Sequence, residues 1–141
     1  MADCIFDTNV ALKLVLNEPD SPDAERAAND ISAAGGIISL LDVARIEAVH
    51  VIWVQFHRRL LSESQARSTF ADFRQLPFFI IESEPLFTSA FDIAIQFDVA
   101  VYDACFVAAV KQLGCRGVTA DVPLMNKVGA AFPSIKLLKN W

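Results

Sequence analysis

Short, nearly continuous apolar runs alternate along this chain with longer stretches of helical spacing. Cys4-Ile5-Phe6 predicts a first strand, and Asn9-Val10-Ala11-Leu12-Lys13-Leu14-Val15-Leu16 predicts a helix that Thr8 stands ready to cap. Ser21-Pro22-Asp23-Ala24-Glu25 has the form of a helix start, with Ser21 as cap, Pro22 at the first helical position and acids in the first turn; Gly35-Gly36 ends that helix. Ile37-Ile38-Ser39 reads as a second strand and the stretch from Leu41 to Arg59 as a long helix. Ser62-Glu63-Ser64-Gln65 is a capping-box start for a helix reaching Gln75; a third strand, Phe78 to Ile81, follows Pro77, and another helix follows Pro85. The last third predicts a helix from Tyr102 to Leu113 closed by Gly114, a strand Gly117-Val118-Thr119, a helix from Val122 to Val128 and a final strand from Ile135 to Leu138.

Strands that are apolar throughout, each followed by a helix, indicate a parallel sheet covered on both faces. The expected architecture is therefore an α/β sandwich, and the 141 residues form one domain, 1–141, without repeats or linkers.

Composition adjusts this picture. Hydrophobic residues make up 54% of the chain, yet no uninterrupted apolar run approaches the roughly 18 to 20 residues needed to span a bilayer, so no membrane role is expected. Part of that apolar content is expected at the surface, as a dimer face or a protein partner's seat. Cys4, Cys105 and Cys115 lie in apolar surroundings without metal or redox spacing, and read as buried thiols of a reducing cytoplasm. The N-terminus carries Asp3 and Asp7 where a secretion signal would place basic residues, so a cytoplasmic location is expected. A net charge of −5 argues against a general nucleic-acid binder held by a basic field.

Sites in open parallel sheets form at the carboxyl ends of the strands. Asp7 follows the first strand and Asp121 follows Val118-Thr119, so both face one crevice. Asp103 lies in the first turn of its helix, where it either caps or points into that crevice. Glu47 sits among Val43, Ile46, His50 and Val54, an apolar helical face on which an unpartnered acid is costly. Taken singly, Asp7 is most simply a helix cap. Taken together, four converging carboxylates repel one another unless a cation neutralises them. Hard oxygen donors without cysteine or clustered histidine select Mg²⁺ or Mn²⁺, and such ions suit phosphodiester hydrolysis while supplying the positive charge that the acidic chain lacks.

With these residues in place the sequence resembles the PIN-domain ribonucleases, and in particular the VapC-type toxins of toxin–antitoxin pairs. The resemblance spans essentially the whole chain, through Phe6-Asp7-Thr8-Asn9, Glu47-Ala48-Val49, Val101-Tyr102-Asp103-Ala104 and Val118-Thr119-Ala120-Asp121 with Leu124. Asp42 and Arg45, ahead of Glu47, are more charged than the family's pattern. The resemblance implies an acidic metal site formed by Asp7, Glu47, Asp103 and Asp121, supported by the Thr119 hydroxyl, with Thr8 or Asn9 ordering the first turn. It further implies an endoribonuclease using Mg²⁺, with Mn²⁺ as substitute, acting on RNA as a homodimer and silenced by a cognate antitoxin whose tail occupies the groove beside the site.

Other readings of the same residues are blander or different in class. His50 and His57 share a helical stripe and read as packing or interface residues; with Glu47, His50 spells half of a di-iron motif whose second copy is missing. Arg58, Arg59, Arg67 and Arg74 are phosphate contacts or, more simply, a solvated helix surface. A haloacid-dehalogenase-type phosphatase also places Asp after its first strand, but wants a second acid where Asn9 stands. A non-catalytic PIN-shaped binding module is the remaining alternative, and it has no need of four acids.

Overall fold

In the computed structural model, which describes residues 3–141, the described residues form five strands: β1 (Cys4–Phe6), β2 (Ile38–Leu41), β3 (Phe79–Ile81), β4 (Arg116–Thr119) and β5 (Ile135–Leu137). They make one all-parallel sheet in the order β3-β2-β1-β4-β5. The chain steps outward from β1 to β3, then returns to lay β4 on the other side of β1. The sheet's switch point is thus between β1 and β4, where parallel sheets open a crevice at the strands' carboxyl ends. Consecutive residues of the central strands point to opposite faces, and Ile5 with Phe6, Leu40 with Leu41 and Val118 with Thr119 are all buried; both faces are therefore covered, as the apolar runs predict.

The helices are α1 (Thr8–Leu12), α2 (Ser21–Ala33), α3 (Asp42–His57), α4 (Glu63–Gln75), α5 (Phe87–Phe97), α6 (Val101–Leu113) and α7 (Val122–Val128). Ser62 and Gln65 form the reciprocal capping box of α4, and Gly114, at φ 62°, closes α6 in the left-handed region that a side chain disfavours. Most of α6, from Ala104 to Val110, is buried. It packs close to β4 because position 117 is glycine: a Cβ there would stand 2.5 Å from the Val110 Cγ2 atom. No single helix among the described residues is long and apolar enough to cross a membrane.

Several local expectations are corrected. Thr8 does not cap α1; Asp7 does, accepting the Thr8 backbone N–H. That helix stops at Leu12 instead of running to Leu16, and the segment after it is fastened by the buried Lys13, whose ammonium bridges Glu18 (2.5 Å) and Asp20 (2.9 Å). Ser21 lies inside α2, with Asp20 at the cap position; its hydroxyl instead accepts from the Glu18 N–H and donates to the Leu16 carbonyl, tying down the approaching loop. Leu41 ends β2 and does not begin the helix. The charge at Asp42, foreign to the expected pattern, has a structural use: it accepts from the backbone N–H groups of Val43 and Ser83, joining the start of α3 to the segment that leads into α5. All three cysteines are buried and unpaired, as expected.

Candidate active site

The switch point is held by a small hydrogen-bond lattice between the ends of β1 and β4. Asp7 follows the last β1 residue, and its carboxylate is almost wholly buried. Its Oδ1 atom accepts the Thr8 N–H (2.9 Å); Oδ2 accepts the Thr119 hydroxyl (2.7 Å) and the Asn9 side-chain amide (3.3 Å). Thr119 Oγ1 in turn accepts the Asp121 N–H (3.1 Å), and Asn9 Oδ1 accepts the Ala120 N–H (3.0 Å). Asn9 therefore clips one strand end to the other, while Thr8 contributes only its backbone. Three of the roughly four acceptor positions on Asp7 are used, which leaves one for a further partner.

Around Asp7 opens a narrow cleft of about 20 Å³ whose lining includes Phe6, Glu47, Tyr102, Asp103 and Phe106. Room of that size suits one water-sized body. Burial raises the Asp7 pKa from 3.8 to about 6; the Thr119 hydroxyl opposes the rise, and the negative charges of Asp103 and Glu47 add to it. Asp103 is also raised, by its own burial and then by the charges of Asp121 and Glu47. It leaves the cap position of α6 to Ala100, which makes no side-chain cap bond, and faces the cleft. Asp121 keeps both of its possible roles: it caps α7 by accepting the Leu124 N–H (3.0 Å) and lies close enough to Asp103 to disfavour its ionisation.

Glu47 is brought to the cleft, but for a different reason from the one its neighbours suggested. The buried face of α3 is Ala44, Ala48 and Ile52; Ile46, at 75% exposure, and Val49, His50 and Glu47 itself are exposed. The acid therefore suffers little desolvation where it stands. His50 and His57 are surface residues that stack on either side of Trp53, with ring centroids 5.6 and 4.8 Å apart. Arg67 pairs with Glu63 on its own helix and Arg74 lies over the Phe70 ring, as a solvated surface would have them.

The chain's match to the PIN domain model runs over residues 4–128, which takes in every strand except β5 and every acid of the cleft. The chain belongs to the PIN domain family. Over nearly its whole length, it is 28% identical across 135 residues to Ribonuclease VapC3 from Pyrobaculum aerophilum, covering 93% of this chain and 95% of the relative. Among solved structures it is similar in fold to PAE2754 from Pyrobaculum aerophilum, with a TM-score of 0.71 at 17% identity over 99% of this chain and 87% of the other. A toxin–antitoxin complex from Klebsiella pneumoniae gives 0.63 at 15% identity over 96% and 97%.

The donor set of this PIN domain suits a hard divalent cation: carboxylate oxygens only, one open acceptor position on the buried Asp7, and mutual repulsion for a cation to relieve. Among the described residues no three His, Cys, Asp or Glu side chains are already gathered tightly enough to hold an ion. Glu47 is exposed and Asp103 and Asp121 are half-buried, so their side chains have staggered alternatives through which to approach Asp7. Asn9 does more than order the first turn, since it also ties the end of β1 to Ala120, and Tyr102, which stands in the Val101-Tyr102-Asp103-Ala104 motif only as the neighbour of Asp103, lines the cleft as well.

Proposed function

We propose that this chain is a divalent-metal-dependent endoribonuclease of the cytoplasm, the toxin of a toxin–antitoxin pair. The observation that carries the reading is the grouping of Asp7, Glu47 and Asp103 on one cleft at the switch point, with Asp121 beside Asp103. Membership of the PIN family and the likeness to a ribonuclease support it. A phosphatase of the haloacid-dehalogenase type is disfavoured, because Asn9 gives Asp7 an amide donor where that chemistry wants an acid.

Asp7, Asp103, Glu47 and Asp121 would hold Mg²⁺ or Mn²⁺, which when bound supplies Lewis-acid activation of water and charge neutralisation for the phosphodiester. Asp7 is the fixed member, since Thr8, Asn9 and Thr119 lock both of its oxygens. Thr119 acts through Asp7, orienting the carboxylate and opposing part of the rise in pKa that burial causes. Glu47 and Asp103 face the open side of the cleft, where a carboxylate oxygen can orient a water and accept its proton.

Silencing by an antitoxin fits the groove between α3 and α4, where Val49 and Phe70 join two adjoining hollows of about 310 and 450 Å³ rimmed by Arg45, Arg67 and Arg74. We assign the homodimer contact to the exposed α5 face of Phe87, Phe91 and Ile95, one stripe at helical spacing. The purified protein should cleave structured RNA with Mg²⁺ or Mn²⁺, and Asp7→Asn or Asp103→Asn should abolish cleavage while the fold persists. Full activity in EDTA would overturn the reading. Expression alone should harm the host and coexpression with the antitoxin should relieve it; harmless expression of active enzyme in a host without antitoxin would count against the toxin assignment.

A further inference from the structure

Tyr102 is the sole tyrosine of the chain, and it lies on the rim of the acidic cleft. It is 68% exposed, so an aromatic ring stands in water one residue from Asp103 and in the same lining as Asp7 and Glu47. Its hydroxyl makes no hydrogen bond to any described residue, and no described aromatic ring stacks on it. Contrast Trp53, also exposed on α3, whose ring is stacked with those of His50 and His57. Leaving a large ring exposed has no packing benefit, while its position places a free π-face within one nucleotide's reach of the carboxylates. A cation in the cleft can hold the phosphate to be cut, but with a net charge of −5 the chain offers the neighbouring phosphates little attraction, so an uncharged contact beside the site adds hold on the substrate. A base offers one, since every base presents a π-face and stacks on aromatic side chains without needing a particular sequence.

We infer that Tyr102 is the platform on which an unpaired RNA base stacks beside the phosphate to be cut. This rests on the ribonuclease reading. It makes the substrate single-stranded at that nucleotide, because a base held in a duplex cannot offer its face to the ring.

Steady-state cleavage of a stem-loop RNA with a random-sequence single-stranded loop in Mn²⁺, by wild type, Tyr102→Ala and Tyr102→Phe, tests it. Tyr102→Ala should raise KM roughly ten- to hundredfold with kcat little changed, the loss expected of one base stack. Tyr102→Phe should stay close to wild type, because the ring face and not the hydroxyl carries the contact. Equal KM values for wild type and Tyr102→Ala would overturn the stacking role and leave the ribonuclease intact. A wild type that cleaves no RNA in metal would overturn both. Sedimentation of Tyr102→Ala should give the wild-type mass; a changed mass would assign the ring to a contact between copies and overturn the inference. Because the ring is exposed, Tyr102→Ala should melt with wild type, and the Phe variant provides a second, fold-conserving check.

Discussion

The Thr119 hydroxyl donates to Asp7 Oδ2 over 2.7 Å and accepts the Asp121 N–H over 3.1 Å, so one side chain joins the ends of the two strands that flank the switch point. Thr119 is wholly buried and Asp7 nearly so, so the bond between them is shielded from water. Thr119→Val keeps the shape and removes the hydroxyl. It should cost ~1–3 kcal/mol of stability by stranding a buried acceptor, and should weaken metal affinity about 10–100-fold, as loss of a ligand's supporting bond does. Thr119→Ser should recover most of both. Urea titration and Mn²⁺ calorimetry on the two variants check this; equal metal affinity in Thr119→Val would remove Thr119 from the site.

The raised Asp7 pKa has a definite sign for stability. With the folded value near 6 and the ordinary value at 3.8, the native state holds a proton between those limits that the unfolded chain has released. Stability in the absence of metal therefore falls as pH rises through that window, by ~3 kcal/mol for this one group. Asp7→Asn cannot titrate, so whatever its fixed cost in mismatched hydrogen bonds, it should gain on wild type by about that amount between pH ~4 and ~6. Paired denaturation curves in EDTA across that range decide it, and a constant difference would show that Asp7 titrates normally.

Asp103 tests whether repulsion in the cleft is real. Asp103→Asn removes the charge that disfavours Asp7 and is itself disfavoured by Asp121 and Glu47, so the variant should melt above wild type in EDTA. Adding Mg²⁺ should raise wild type by about 2.7 kcal/mol at a hundredfold excess over its dissociation constant and the variant by much less. The two melting temperatures should converge or cross along an Mg²⁺ series. Parallel curves with a fixed offset would make Asp103 a surface acid.

Gly117 sets how closely α6, the helix bearing Tyr102 and Asp103, can approach β4. Gly117→Ala places a methyl against Val110 and the Phe106 ring, and should destabilise by about 1–3 kcal/mol through overpacking. Val110→Ala combined with it should restore part of the loss by vacating the space. Additive losses in the double variant would show that the two sites do not share that contact.

What the chain's order of residues determined by itself was mostly local. The alternation of apolar runs with helical spacing marked every strand of the sheet: the inner strands are largely buried and so mostly apolar, and the edge strands β3 and β5 leave Phe79 and Lys136 exposed within otherwise apolar runs. Ser62 and Gln65 marked the start of α4, because a capping box is complete within one helical turn. Asp7 and Asp121 were legible as site candidates because the end of a parallel strand is a position along the chain, readable without knowing its neighbours.

Tertiary structure decided the rest. That β4 lies against β1, which brings Asp7 to Thr119, is a pairing between distant residues that periodicity does not carry. Glu47 looked like a buried acid because Val43, Ile46 and Val54 are apolar; which face of α3 is buried depends on the elements packed against it, and these chose Ala44, Ala48 and Ile52. Ser21 had the chemistry of a cap, but the loop before it offered its hydroxyl the Leu16 carbonyl and the Glu18 N–H instead. Tyr102 stood in the sequence only as the neighbour of Asp103 in Val101-Tyr102-Asp103-Ala104, with nothing to mark its ring as exposed. It acquired a role only when folding set its ring on the rim of the cleft, since exposure beside a group of carboxylates is a property of assembled surfaces and not of any one segment.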